Sequence, residues 1–467
     1  MDNIQSKSNI QSKSKELGEK PISKLLPALV IPAVLSQLVN ALYNIVDRIY
    51  IGNIAETGAL ALTGLGLCFP VLMIVSAFAN LFGMGGAPKA AIKMGEGDNE
   101  AAEQILGNCT AALVIASAVL TTFFFVFGRD LLFLFGASDN TIVYAWSYLS
   151  IYLIGTIFVQ VTLGLNCFIS TQGFTSYSMR TILIGAGLNI ILDPIFIFVF
   201  DMGVAGAATA TILSQAVSAI WVLRFLTGKS TILKIKRKHM RIRWGVLAPA
   251  VALGLAPFTM SATESLLNIT FNSSLQTYGG DMAVGSMTII SSVFTLTLLP
   301  MTGITQGAQP IISYNYGAGN TKRVMEAFKL TLISCMTLST TMWALMQLFP
   351  GMFIQLFNSD SDLVAIAVSS LKVYSIGLFA LGAQVACQQT FVALGQAKIS
   401  LFLACLRKLI LLIPMIFILP YFFEDKVFAV FLAEPISDII AAACTVLAFV
   451  LLVPKALRAI SQTAEKF

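Results

Sequence analysis

The sequence predicts an all-α membrane protein whose twelve transmembrane helices form two six-helix lobes related by a pseudo-twofold axis. Three observations lead there. Of 467 residues, 57% are hydrophobic and 11% charged, with a mean hydropathy of +0.84, too few charges to solvate a globule of that length. Apolar stretches of about 20 residues, enough to cross a bilayer, recur between short polar interruptions. Finally, the two halves repeat each other at one offset.

The spans are expected at 25–51, 60–86, 105–127, 142–166, 177–200, 204–226, 246–271, 283–311, 327–349, 365–391, 399–421 and 428–453. An even number puts both termini on one side, and the positive-inside rule makes that side the cytoplasm. Cations gather within residues 7–24, at Lys89, Lys93 and Arg180, from Lys229 to Arg243, and at Lys322, Arg323, Lys398, Lys455 and Arg458. The opposite loops carry mainly Glu56, Asp130, Asp139, Asp201, Asp281, Asp360, Asp362, Glu424 and Asp425. This topology and anionic lipid account for the net charge of +6, so no nucleic-acid partner is expected.

Residues 1–23, with a tandem NIQSKS, read as a disordered cytoplasmic tail. The N-terminal lobe is expected at 24–226, a basic cytoplasmic linker at 227–244, the C-terminal lobe at 245–455, and a second cytoplasmic tail at 456–467. The seven cysteines show no CxxC spacing and read as reduced packing residues.

Sliding the second half back by 222 residues aligns Gly85 with Gly307, Pro88 with Pro310, Gly95 with Gly317, Phe127 with Phe349, Phe135 with Phe357, Tyr152 with Tyr374, Gly155 with Gly377 and Gly173 with Gly395. One offset held over so many helix-breaking positions implies internal duplication. Two units with even span numbers insert in the same orientation, and a cavity forms where they meet. That architecture suits a transporter.

Enzymatic chemistry is not expected. Gly228-Lys229-Ser230 has Leu223 where a phosphate-binding loop needs its first glycine. The single histidine, His239, lies in the basic linker, and no residue set has metal-ligand spacing. No cofactor is implied, so transport must draw on an ion gradient or on the solute's own gradient.

Ionisable residues near the bilayer centre cost at least about 2.5 to 3.5 kcal/mol each and call for a reason. In the first span Gln37, Asn40, Asn44 and Asp47 recur along one helical stripe. In the fifth, Asn189 and Asp193 share a face, with Pro194 marking a helix kink. In the sixth, Thr211 offers a hydroxyl. At 1.5 Å per residue, Asp47, Asp193 and Thr211 fall roughly 6 to 11 Å from the outer helix ends. Together these oxygens suit a small hard cation such as Na+, or a proton.

Taken singly, Asp47 beside Arg48 also suits an interfacial ion pair, and Asp193-Pro194 a plain kink. The repeat favours chemistry: Asn189 and Asp193 become Leu411 and Met415 at the 222 offset, and Asp47 becomes Asn272 at a local offset of 225. In the second lobe Glu264, Asn268 and Asn272 in the seventh span and Gln384 and Gln388 in the tenth join Gln37, Asn40 and Asn44 as substrate-cavity candidates. Glu434 and Asp438 in the twelfth read as helix-packing groups.

These residues resemble the multidrug and toxic compound extrusion (MATE) family, bacterial branch, from Leu25 onward. The resemblance is carried by Val46-Asp47-Arg48 with Gly52, by Gly187-Leu188-Asn189-Ile190-Ile191-Leu192-Asp193-Pro194 followed by Gly203-Val204-Ala205-Gly206-Ala207-Ala208, and by Gln306-Gly307-Ala308-Gln309-Pro310 leading to Tyr314-Asn315-Tyr316-Gly317. It implies a multi-pass protein of the bacterial cytoplasmic (inner) membrane; function as a monomer is expected, although the oligomeric state is not readable from the sequence. It also implies export of cationic or amphiphilic organic compounds against inward H+ or Na+ through a central cleft, with Asp47, Asn189, Asp193 and Thr211 as the cation site. Two departures stand out. Ser170-Thr171-Gln172-Gly173 replaces the Arg-Ala-x-Gly of many relatives, and the glutamines of the tenth span, with Glu264 one residue out of register, disfavour a second-lobe sodium site. A dedicated exporter of one endogenous metabolite would look the same. A lipid-linked precursor flippase would want several cations inside spans, where Arg407 and Lys408 stand nearly alone.

Overall fold

Because lipid offers no hydrogen bonds, each apolar stretch closes its backbone ladder on itself as a helix. The computed structural model describes residues 16–54, 57–357 and 361–464. Residues 1–15 and 465–467 of the expected tails, with Glu56 and Asp360, lie outside the described residues.

The first three spans are Ile22–Gly52, Gly58–Gly95 and Asn99–Leu134. The fourth joins Ile142–Ile154 to Thr156–Thr171 through a 59° bend at Gly155. The fifth, Thr175–Pro194, continues as a π-helical stretch, Ile195–Val199, and the sixth is Gly203–Thr227. The seventh and eighth spans lie within Trp244–Gly317 as two helices that meet at Gly280, whose φ of 63° and ψ of −159° are non-helical. A glycine there turns the chain without an intervening polar loop. The ninth span is Thr321–Leu348, and the tenth joins Ser361–Tyr374 to Leu378–Ala393. The eleventh runs from Ala397–Cys405 through a π-helical Leu406–Leu412 to Ile413–Ile418, and the twelfth is Lys426–Ala464.

The duplication is visible in local geometry. Gly97 and Gly319, 222 positions apart in the sequence, both have positive φ (82° and 72°), and so do Gly173 and Gly395 (85° and 71°). After each member of the first pair, Asp98 and Asn320 cap the third and ninth spans, accepting from the backbone N–H groups of Ala101 and Arg323. Each lobe buries its own aromatic and aliphatic core, around Phe124, Tyr148 and Tyr152 in one and Phe294, Tyr374 and Phe431 in the other. Outward-facing residues such as Val126, Ile220, Ile269 and Val450 remain exposed, an apolar belt that requires lipid.

The lobes meet most closely at the end bearing the linker, where glycines let backbones touch. A methyl group built on Gly254 would stand 1.9 Å from the Leu81 carbonyl oxygen, and one on Gly307 would stand 2.6 Å from Val30 Cα. The linker itself is fastened to the first lobe. Gln172 Oε1 accepts from Thr231 Oγ1 and from the N–H groups of Ile232 and Leu233, at 2.8 to 2.9 Å. Asn108 receives the Arg243 N–H and donates to the His239 carbonyl, while Glu103 holds Lys236. Burial, seconded by Lys238, pushes the His239 imidazole below its ordinary pKa.

One expectation is corrected nearby. Residues 16–19 form a helical turn, and Leu17 is buried. The Leu17 carbonyl accepts from Asn315 Nδ2 at 2.9 Å and from an Arg323 guanidinium nitrogen at 3.0 Å. The expected disorder of residues 1–23 therefore does not hold for this stretch, because a buried apolar side chain and two side-chain donors anchor it.

Candidate functional site

The first, fifth and sixth spans bring the four predicted cation-site residues together. Asn189, Asp193 and Thr211 are almost fully buried, and Asp47 is 8% exposed. Asn189 Nδ2 donates to Asp193 Oδ1 at 3.1 Å and to Thr211 Oγ1 at 3.3 Å. The Asp47 and Asp193 carboxyls are neighbours, and Tyr43 and Tyr148 adjoin Asp47. Arg48 turns to the Phe69 ring, 5.7 Å from its centroid.

Two carboxyls this close in a buried site cannot both remain ionised without a counter-charge. Asp47 Oδ1, Asn189 Oδ1 and Asp193 Oδ2 are buried and lack hydrogen-bond partners. With the Thr211 hydroxyl they form an all-oxygen donor set, suited to a hard monovalent cation, while a proton shared by the two carboxyls would satisfy the same electrostatics. Among the described residues no group of three His, Cys, Asp or Glu has metal-binding geometry.

A cavity of about 540 Å³ opens beside this site, between the lobes. Asn189 and Thr211 belong both to the hydrogen-bonded cluster and to the cavity wall. Of the proposed cavity residues, Gln37 and Asn40 line it, and Gln37 Nε2 bridges the lobes by donating to Gln306 Oε1 at 2.8 Å. The others lie off the wall. Asn44 donates to the Asn40 carbonyl, Asn268 and Asn272 are exposed elsewhere on the seventh span, and Gln384 donates to Gln388, which itself donates to Met260 Sδ. Sequence periodicity missed Asn80, Asn166, Gln215, Gln306, Gln309 and Gln389. Isolated amides carry no stripe, and only the meeting of spans from both lobes makes them neighbours.

Glu264, a residue absent from the cavity wall, pairs with Lys408 of the eleventh span. Next to Lys408, Arg407 donates to Asp438 Oδ1 at 2.6 Å and to Glu434 Oε1 at 3.0 Å. Ser437 donates to the Arg407 carbonyl within the π-helical stretch. The i, i+4 spacing of Glu434 and Asp438 is readable in the sequence, and it sets both carboxyls against the one guanidinium.

A model of the MatE family matches residues 32–195 and 258–418, one segment in each lobe. The multidrug export protein MepA of Staphylococcus haemolyticus is 24% identical over 425 residues, spanning 91% of this chain and 93% of that protein. Its Staphylococcus aureus counterpart is 25% identical over 430 residues with the same coverage. Among solved structures, a MATE protein in the bent conformation superposes with a TM-score of 0.89 at 23% identity, covering 98% of this chain and 99% of that one. The outward-facing conformation of a multidrug resistance MATE family transporter of the MOP superfamily gives 0.88 at 23% identity, with 94% and 98% covered. The structural likeness establishes the fold, and the family model, matching both lobes across most of the chain, identifies the protein as a member of the MATE family of multi-pass membrane transporters.

Proposed function

We propose that this chain is a secondary active antiporter that exports amphiphilic organic compounds from a bacterial cell in exchange for inward H+ or Na+. The observation that carries the reading is the pair Asp47 and Asp193, buried beside the cavity and separated from it by Asn189 and Thr211. A cation entering the pair removes the repulsion between the carboxyls, and the shared amide and hydroxyl transmit that change to the cavity wall. Multidrug export by the MepA relatives supports the same cargo class. Both termini and the linker face the cytoplasm in this reading. One copy suffices, because cavity and carboxyl pair lie within a single chain. A flippase reading loses its footing, since Arg407 and Lys408 are both engaged by carboxylates rather than free to hold phosphates.

One charge entering across about 100 mV supplies about 2.3 kcal/mol, and a tenfold gradient adds about 1.4, which supports roughly a 500-fold cargo gradient. Everted vesicles given a proton or a sodium gradient separately test the coupling. Asp47→Asn and Asp193→Asn should each abolish gradient-driven uptake at normal expression, since a carboxamide cannot exchange a cation. Full uptake by either variant would sink the assignment.

A further inference from the structure

The linker end of the molecule carries a closure that belongs to neither repeat, and its meaning rests on the transport reading above. Residues 16–19 form a helical turn ahead of the first span, and Leu17 is buried there against both lobes at once. On the first-lobe side, the three atoms nearest to a methyl group built on Gly173 all belong to the Leu17 side chain, at 3.5 to 3.7 Å. On the second-lobe side, Leu17 shares one apolar cluster with Ile311 and Ile312 of the eighth span and Val324 and Phe328 of the ninth. The repeat bridges its other turn differently: Lys89 of the second span donates to the Gly395 carbonyl at 3.3 Å. At the 222 offset Lys89 becomes Ile311, which has no donor to offer Gly173.

The backbone of the turn is held by the second lobe. Arg323 Nη2 donates to the carbonyls of Leu17 and Lys20, at 3.0 and 2.8 Å, and Asn315 Nδ2 donates to the Leu17 carbonyl at 2.9 Å. Arg323 Nε donates to Asn315 Oδ1 at 2.9 Å, so the two donors brace each other. At the 222 offset Asn315 becomes Lys93 and Arg323 becomes Ala101, so the duplicated fold has this cradle once. The turn also lies over the contact between the second and eighth spans. A methyl group on Gly18 would stand 3.2 Å from the Tyr314 ring, and the Tyr314 carbonyl faces Gly95.

Parting the lobes at this end would leave Leu17 with the second lobe, through three hydrogen bonds, and strip its side chain of the surface at Gly173. A contact present in one arrangement and lost in the other weights the equilibrium between them. We infer that residues 16–20 are a strap that holds the linker end shut, with Leu17 as its catch. The Leu17 contact with the first lobe must then break each time the cleft opens at this end to take up cargo.

Double electron–electron resonance on the purified full chain reads this bias without gradient or cargo. Spin labels attached through ketone side chains at Asn99 and Lys322, both exposed at the start of the third and ninth spans, leave the seven cysteines untouched. Leu17→Ser should raise the fraction of molecules at the longer distance at least about tenfold, the scale expected when one buried leucine weights one of two states. Leu17→Met keeps an apolar side chain and should hold the parent distribution within about twofold. Arg323→Gln reaches the strap from the lobe, should shift the distribution in the same direction as Leu17→Ser, and decides the matter should Leu17→Ser fail to fold. Parent-like distances in both Leu17→Ser and Arg323→Gln overturn the inference, whether or not thermal stability falls, because Leu17 is then an ordinary packing residue. A shift in Leu17→Met equal to that in Leu17→Ser overturns it as well. Shifted distances in a protein that shows no gradient-driven export would instead count against the transport reading alone.

Discussion

Gly95 and Gly317, 222 residues apart in a duplicated chain, lock the same end of the molecule from opposite sides. A methyl group on Gly95 would stand 2.0 Å from the Tyr314 carbonyl oxygen, and one on Gly317 would stand 2.0 Å from that of Ile92. Neither carbonyl can move without dragging a helix, so any larger residue must part the second and eighth spans. Gly95→Val and Gly317→Val should each lower stability by about 1 to 3 kcal/mol, as overpacking does. They should also lengthen the distance between spin labels placed on those two spans at the linker end. Unchanged distances in both variants would show that the close approach is not what seals this end.

The Arg407 guanidinium is the sole described cation within 4.0 Å of Glu434 and Asp438, which are 5% and 1% exposed. Removing one partner of a buried ion pair strands the other charges, and Arg407→Ala should destabilise the second lobe by about 3 to 5 kcal/mol. Arg407→Met combined with Glu434→Gln and Asp438→Asn should recover most of that loss, because no uncompensated charge remains. Thermal unfolding in detergent reads both. A mild effect of Arg407→Ala would mean that the carboxyls take up protons once the guanidinium is gone.

The fold was largely legible because lipid enforces it: span length, cation placement and the 222-residue repeat are all consequences of burying backbone and excluding charge. What escaped depends on contacts between distant segments. Gln172 stands at the unconstrained position of the Ser170-Thr171-Gln172-Gly173 stretch, and its side chain proves to be the acceptor that fastens Thr231, Ile232 and Leu233 to the first lobe. Leu17 sits in a polar tail with no periodicity, yet it is buried against the linker end. Asp47, Asn189, Asp193 and Thr211 could be grouped from helical depth alone, whereas Asn268 and Asn272 show that a stripe does not reveal which surface it faces.

Pro194 has a more specific role than a kink. Having no N–H, it removes one rung of the fifth span directly after Asp193, and the helix beyond it widens into the π-helical Ile195–Val199, closed by the Phe200 N–H donating to the Ile195 carbonyl at 2.9 Å. A π-helical turn is less stable than an α-helical one and is found where a helix must yield locally. The placement puts the π-helical stretch directly beside Asp193, one of the two carboxyls of the proposed cation site. Pro194→Ala restores the missing donor and removes the ring, which should let the α-helix continue through the site. The buried hydrogen bonds of Asn189 lie on the preceding turn and should survive, so cation binding is expected to remain within about threefold of the parent, a difference below 1 kcal/mol. Transport should slow by tenfold or more if bending is the step that moves the lobes, since about 1.4 kcal/mol added to that barrier suffices. The two readouts separate the alternatives. Loss of cation binding together with transport would make Pro194 a positioning residue for Asp193, and retention of full transport would show that the lobes move about another hinge.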